Sequence, residues 1–188
     1  MEDFKNLQET QLSSQPIFDG DVLHIFKDTI RLPNGKQATR EYTVHHGAVC
    51  VLPLLENGDV LLEHQFRYPM GEVITEIPAG KLDYIGEDPA SAALRELREE
   101  TGVEPIDENS CDIDHVGQFY SSEGMTDELA NIMVVHLRHW QAVERHFDAD
   151  EHVESAWIPW KQLRDTHITA SNSEIAILHE QIRRMRQQ

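Results

Sequence analysis

The chain has 188 residues, enough for one substantial domain with a small extension, and its 39% apolar and 27% charged residues are those of a globular protein rather than a disordered one. Its formal charge of −18 excludes a basic surface of the kind that displaces counterions from a nucleic-acid backbone. No run nears the 18 or so apolar residues of a membrane helix, and the acidic start Met-Glu-Asp-Phe lacks the basic and apolar regions of a secretory signal, so a cytoplasmic protein is expected.

Residues 1–16 are polar and without periodicity, which predicts a loose arm. Alternation through Val22, His24, Phe26 and Asp28, the turn Pro33-Asn34-Gly35-Lys36 and the return Thr39–Val44 predict a hairpin. A second hairpin is expected from Ala48–Leu55 and Val60–Phe66 about the turn Glu56-Asn57-Gly58-Asp59. Cys50 sits in the first of these apolar runs and reads as a reduced, buried thiol; neither it nor Cys111 has metal-ligand spacing. Ile74–Pro78 reads as a short strand, and Ala79–Glu87 as a loop. A helix should start at Pro89 behind an Asp88 N-cap and stop at Gly102. Strands are predicted at Asp112–Tyr120, Ala130–Leu137 and Val153–Ile158, a short helix near Trp160, and a longer one over Ser171–Arg186 with Ile175, Leu178, His179 and Ile182 on its apolar face. Strands outnumber helices in an order that points to an α+β arrangement.

The chemistry is concentrated around the first helix. At 100° per residue, Leu94 and Leu97 with Ala90 and Ala93 make an apolar stripe, while Glu96, Glu99 and Glu100 share a wedge of about 100°. Glu96 and Glu100 are like-charged i,i+4 neighbours, and they lie toward the helix end where the dipole disfavours anions. Arg95 relieves only part of this, and a hard cation such as Mg²⁺ or Mn²⁺ would relieve the rest.

Glu87, the seven residues Asp88–Leu94, and Arg95-Glu96-Leu97-Arg98-Glu99-Glu100-Thr101-Gly102-Val103 resemble the Nudix box position for position. One departure stands in the loop, where six residues instead of five separate Gly80 from Glu87. The resemblance implies a Nudix fold, a mixed β-sheet sandwiched between helices with an N-terminal antiparallel extension. It implies Glu96 and Glu100 as metal ligands, Glu99 as a further or water-mediated one, and the Ala79 carbonyl as another oxygen. Arg95 would orient the glutamates, and Gly80 and Glu87 would support the loop. The acidic stretch Asp148–Glu154 resembles the loop that carries a general base in the ADP-ribose pyrophosphatase branch; Glu151 aligns best as base or extra ligand, with His152 the alternative.

Three further matches point to that branch. Gln65-Phe66-Arg67-Tyr68-Pro69 resembles its strand end, with Arg67 contacting a phosphate. Glu76-Ile-Pro-Ala-Gly80 resembles its approach to the box, with Glu76 contacting substrate. The segment before His46 resembles the region through which the branch dimerises. This implies a division into residues 1–46, an arm and dimerisation hairpin, and 47–188, the hydrolase domain. Ser122-Glu123-Gly124-Met125-Thr126-Asp127-Glu128 departs from the branch, since Glu123 stands where it has proline and Met125 where it has an aromatic residue; Glu128 still matches a ribose-contacting position.

The expected function is therefore Mg²⁺-dependent hydrolysis of a nucleoside diphosphate sugar, first of all ADP-ribose to AMP and ribose 5-phosphate, by a cytoplasmic homodimer with no nucleic-acid or membrane partner. GDP-mannose or another such sugar is the alternative within this class. A triphosphate-sanitising hydrolase is less consistent with the branch matches, and a non-catalytic nucleotide sensor with the intact acids of the box.

Overall fold

The computed structural model describes residues 4–147 and 151–187. In chain order its strands and helices are β1 (Thr10–Asp19), β2 (His24–Arg31), β3 (Gln37–Val44), β4 (Ala48–Leu55), β5 (Val60–Arg67), β6 (Glu72–Glu76), β7 (Ala79–Lys81), α1 (Pro89–Thr101), β8 (Val103–Pro105), β9 (Cys111–Tyr120), β10 (Leu129–Leu137), β11 (Trp140–Ala142), β12 (Val153–Ile158) and α2 (Ser171–Arg186). Among the described residues no helix is long and apolar enough to cross a membrane.

The chain divides into two units, and the first comprises the residues up to His45 with the segment Tyr120–Glu128. Its antiparallel sheet has the order β1-β2-β3. The β2–β3 turn forms as the sequence predicts: Gly35 takes φ 84°, and the Asn34 side chain accepts the Lys36 N–H at 3.0 Å. Phe26 and Tyr42, directly opposite in register, stack with centroids 5.9 Å apart. Thr43 N–H donates to the Met125 carbonyl at 2.9 Å, and Asp127 accepts the His45 N–H at 2.8 Å, which ties the segment 120–128 to β3. The arm expected over residues 1–16 is wrong from Thr10 onward, where the chain pairs with β2 along its length. Every residue of β1 is exposed, so no inward face imposes the alternation by which a strand is read.

The second unit holds a seven-stranded sheet whose main path is β12-β5-β4-β10-β9, with β6 on β5 and β7 on β4. β4 and β10 are parallel and central, and β4 is buried from Ala48 to Leu54. Such a strand carries apolar residues on both faces, which explains the unbroken run Ala48–Leu55. Val49 and Val51 enter a core under α1 with Leu61, Ala92, Ala93, Leu97 and Met133. Cys50, Leu52 and Leu54 enter a core under α2 with Leu62, Ile77, Ile132, Ala176 and Ile177. Full burial of one such Leu or Ile side chain stabilises by about 1.5–3 kcal/mol, so the two layers hold the helices against the sheet.

The α1 boundaries agree with the sequence. Asp88 accepts the Ser91 N–H at 2.9 Å, Pro89 opens the first turn, and Gly102 closes the helix at φ 71° with its N–H on the Arg98 carbonyl. The buried stripe is Ala92, Ala93 and Leu97, with Leu94 packed at its edge. α2 also forms where expected, but on a different face. Ser173, Ala176, Ile177 and Glu180 are buried, whereas Leu178 and Ile182 are exposed. Counting apolar residues misplaced the stripe because two of its positions are polar. Ser173 accepts the Ile77 N–H at 3.0 Å, and Glu180 accepts from the Nε of Arg183 and of Arg184 at 2.6 Å each. β7, β8 and β11, three residues each, were not anticipated; β7 lies within the expected loop.

Gly102 has both a left-handed backbone and no room: a Cβ there would stand 2.6 Å from the Val143 carbonyl oxygen. Gly102→Ala should therefore lower stability by at least about 1–3 kcal/mol, the cost of the backbone strain alone, read as a fall in the urea midpoint.

Candidate active site

β7 runs along β4 and delivers Gly80 to the side of α1 that carries the box glutamates. The approach is so close that a Cβ on Gly80 would lie 2.1 Å from the Glu96 carboxyl carbon, so the missing side chain is what admits the carboxylate. One residue earlier, the Ala79 N–H donates to Glu100 Oε2 at 3.0 Å. Glu96 and Glu100 are 8% and 4% exposed, so these two face inward, against the sheet, while Glu99 is only half-buried.

Arg95 gathers the surrounding acids. Its Nη1 donates to Glu96 at 2.7 Å and to Glu99 at 3.3 Å, and its Nη2 reaches the Lys81 carbonyl at 3.2 Å and Glu87 at 3.4 Å. Its Nε is 3.4 Å from Asp83 without hydrogen-bond geometry. Glu87 also accepts the Asp83 N–H at 2.7 Å, so it joins the loop to the helix through Arg95.

β5 and β6 supply the opposite wall. Arg67 Nε donates to Glu76 Oε1 at 2.8 Å, which makes these two expected substrate contacts partners of each other. Glu76 pairs in register with Glu63, a residue the sequence reading passed over. Glu63 is 3% exposed, and its Oε1 is buried with no hydrogen-bond partner among the described residues. A signal was present: Glu63 is two residues from the core residue Leu61 on a strand, hence on the same inward face. Glu151 is half-buried and close enough for its charge to act on Glu63, Glu96 and Glu100; residues 148–150 of the expected acidic loop lie outside the described residues, and its end, from Val153, belongs to β12. Glu128 belongs to the first unit, where it accepts from the Ser121 hydroxyl and lies 3.9 Å from His45 Nδ1.

This crowding raises the proton affinity of the acids. Burial, opposed in part by Arg95, lifts Glu96 to about 7. Burial first, and then the charge of Glu76 and Glu151 on Glu63 and of Glu63, Glu96 and Glu151 on Glu100, push both well above the carboxylate range. Among the described residues no three His, Cys, Asp or Glu side chains form a group closed around a cation position, since Glu96 is drawn to Arg95 and Glu100 to the Ala79 N–H. The donor set nevertheless fits a divalent ion. It consists of carboxylate oxygens in a site too dry to ionise them together, which is the condition a hard cation relieves.

Comparison with known proteins identifies the family. Residues 44–178 match the NUDIX domain, and residues 9–43 match the nucleoside diphosphate sugar hydrolase N-terminal domain. The chain is 38% identical to the ADP-ribose pyrophosphatase of Bacillus subtilis over 150 residues, covering 80% of this chain and 78% of that one. It is 32% identical to the methanol dehydrogenase activator of Bacillus methanolicus over 95% of both. A solved ADP compounds hydrolase shares the fold at a TM-score of 0.76 and 17% identity, covering 95% of this chain and 96% of that one. The chain belongs to the Nudix hydrolase family, and together with the N-terminal match this makes it a hydrolase of nucleoside diphosphate sugars.

Because Gly80 and Glu96 cannot both stay in place once a Cβ is added, Gly80→Ala should cut hydrolysis by about 100-fold or more, the loss typical of misplacing one reactive group by about 1 Å. Circular dichroism should show the fold retained; full activity in this variant would mean that Glu96 is not needed where it stands.

Proposed function

We propose that the substrate is ADP-ribose, hydrolysed to AMP and ribose 5-phosphate with Mg²⁺ by a cytoplasmic homodimer. The observation that carries this is the set of buried glutamates packed against Gly80 beside an arginine-bearing strand end. The choice of sugar is supported by the Bacillus subtilis relative, an ADP-ribose pyrophosphatase.

Glu96, Glu100 and the Ala79 carbonyl would hold Mg²⁺, with Glu99 and Glu151 completing the set directly or through water. When bound, Mg²⁺ neutralises the diphosphate and the charge that builds on the leaving oxygen, and it lowers the pKa of water. Arg95 keeps Glu96 and Glu99 from splaying apart, while Glu87 holds Arg95 to the loop. Arg67 offers a guanidinium fork to a phosphate oxygen, steadied by Glu76. Glu128, of the first unit, is assigned to a ribose hydroxyl by the resemblance alone. The Glu151 carboxylate takes the proton from the attacking water, and the bridging oxygen leaves with the other phosphate.

Homodimer formation is supported by β1, a ten-residue edge strand exposed at every position, with Ile17 53% and Phe18 55% exposed. Sedimentation equilibrium of the full chain should return twice the chain mass; a monomer at micromolar concentration would exclude the dimer.

Activity is tested by product analysis on ADP-ribose, ADP-glucose, GDP-mannose, NADH and dGTP, with Mg²⁺ and with chelator. Metal-dependent AMP release chiefly from ADP-ribose is expected. Faster turnover of GDP-mannose would move the substrate elsewhere in the class, and tight nucleotide binding without turnover would make the protein a sensor. Glu100→Gln should lower turnover by about 10²–10³-fold, the range for removing one preorganised electrostatic group. The same variant should melt in chelator no lower than the parent, because it removes a buried acid from beside Glu63 and Glu96.

A further inference from the structure

We propose that Glu63 is a further carboxylate ligand of the divalent cation, reaching it from the sheet, directly or through one water, while Glu96 and Glu100 reach it from α1. The inference rests on the reading that those two glutamates hold such an ion.

Glu63 is out of place as a structural residue. The three residues before it on β5, Val60, Leu61 and Leu62, are buried and apolar, and an aliphatic side chain on this face would continue the packing of Leu61 under α1. The chain instead places a carboxyl there, 3% exposed, with one oxygen buried and without a hydrogen-bond partner among the described residues. Leaving such an acceptor unsatisfied costs about 1–3 kcal/mol, more if it is charged. Its neighbours do not offset this. Glu76 sits directly across the β5–β6 ladder and Glu151 bears on it by charge; Arg145 opposes them, and Glu100, within hydrogen-bonding reach, is itself a buried acid. Arg145 is itself committed to the Thr101 carbonyl through Nε at 3.1 Å.

A neutral Glu63 that hydrogen-bonds Glu100 would explain one of its oxygens and leave the other orphaned. A cation explains both. It supplies positive charge beside Glu63 and Glu100 while Arg67 is taken up by Glu76, and it accepts oxygen ligands from the strand and the helix together. Backbone geometry supports the placement: Glu63 lies on the α1-facing side of β5, and Ala79, whose N–H meets Glu100, enters from β7 on the neighbouring strand β4.

The test is Mn²⁺ binding by the full chain, with the free ion counted by electron paramagnetic resonance, alongside melting temperatures in chelator and in Mn²⁺. Parent, Glu63→Gln, Glu63→Leu and Glu100→Gln are compared. Gln keeps the shape and hydrogen bonding of a protonated acid but cannot bind the ion as a carboxylate. Glu63→Gln and Glu63→Leu should bind Mn²⁺ about 10–100-fold more weakly, the range for losing a supporting contact at a metal site. Both should melt in chelator at or above the parent temperature, and Mn²⁺ should raise that temperature less than it does in the parent. Unchanged Mn²⁺ affinity in Glu63→Gln, with weakened binding in Glu100→Gln, would overturn the role of Glu63 and leave the metal site standing. A parent that binds no Mn²⁺ would overturn both.

Discussion

Several carboxyl groups share a dry space between one strand layer and one helix, and much of the second unit is arranged around tolerating them. Glu63, Glu76, Glu96 and Glu100 are each less than a tenth exposed, and they face one another across β5, β6 and α1. In a medium that screens charge poorly, such a group is held only by compensation: protonation, hydrogen bonds from fixed donors, or cations. All are in use. Arg95 draws Glu96 and Glu99 together, the Ala79 amide holds Glu100, and burial leaves Glu63, Glu96 and Glu100 unusually basic.

The scaffold is rigid where this compensation is needed. α1 is capped at both ends, by Asp88 and by Gly102, and its alanines and Leu97 press it onto β4 and β10. Small residues at Ala92 and Ala93 permit close approach of helix and sheet, and Gly80 permits closer approach still. The same closeness that buries the acids also fixes the distances between them. Stability and site geometry are therefore set by the same contacts, as expected where binding energy must be stored in preorganised groups.

Much of this was legible in the sequence because helix-borne signals are local. The N-cap, the terminal glycine and the spacing of Arg95, Glu96, Glu99 and Glu100 lie within a few turns and define α1 without reference to other elements. What escaped were features that show only once other elements, or other polar residues, are set against them. Strand β1 has no buried face and shows itself only by pairing with β2. The buried face of α2 runs through Ser173 and Glu180, whose polarity is offset by Ile77, Arg183 and Arg184. Glu63 looks like one charge on a polar strand end until β6 and α1 are set against it. β1 shows itself only by its pairing, and the burial of Ser173, Glu180 and Glu63 only by what packs against them.

The charge balance around the acids favours a cation. A phosphate substrate approaching a chain of net charge −18 is opposed at long range, but at physiological ionic strength charges beyond about 8 Å are largely screened, so the local field decides. Locally, Arg95 is engaged with Glu87, Glu96 and Glu99, and Arg67 with Glu76. Neither guanidinium brings a net positive charge to a diphosphate once its acidic partners are counted. The site as the protein alone builds it is therefore better suited to a divalent cation than to an anion. A divalent cation held there would reverse the sign of the local field and make the site attractive to a diphosphate.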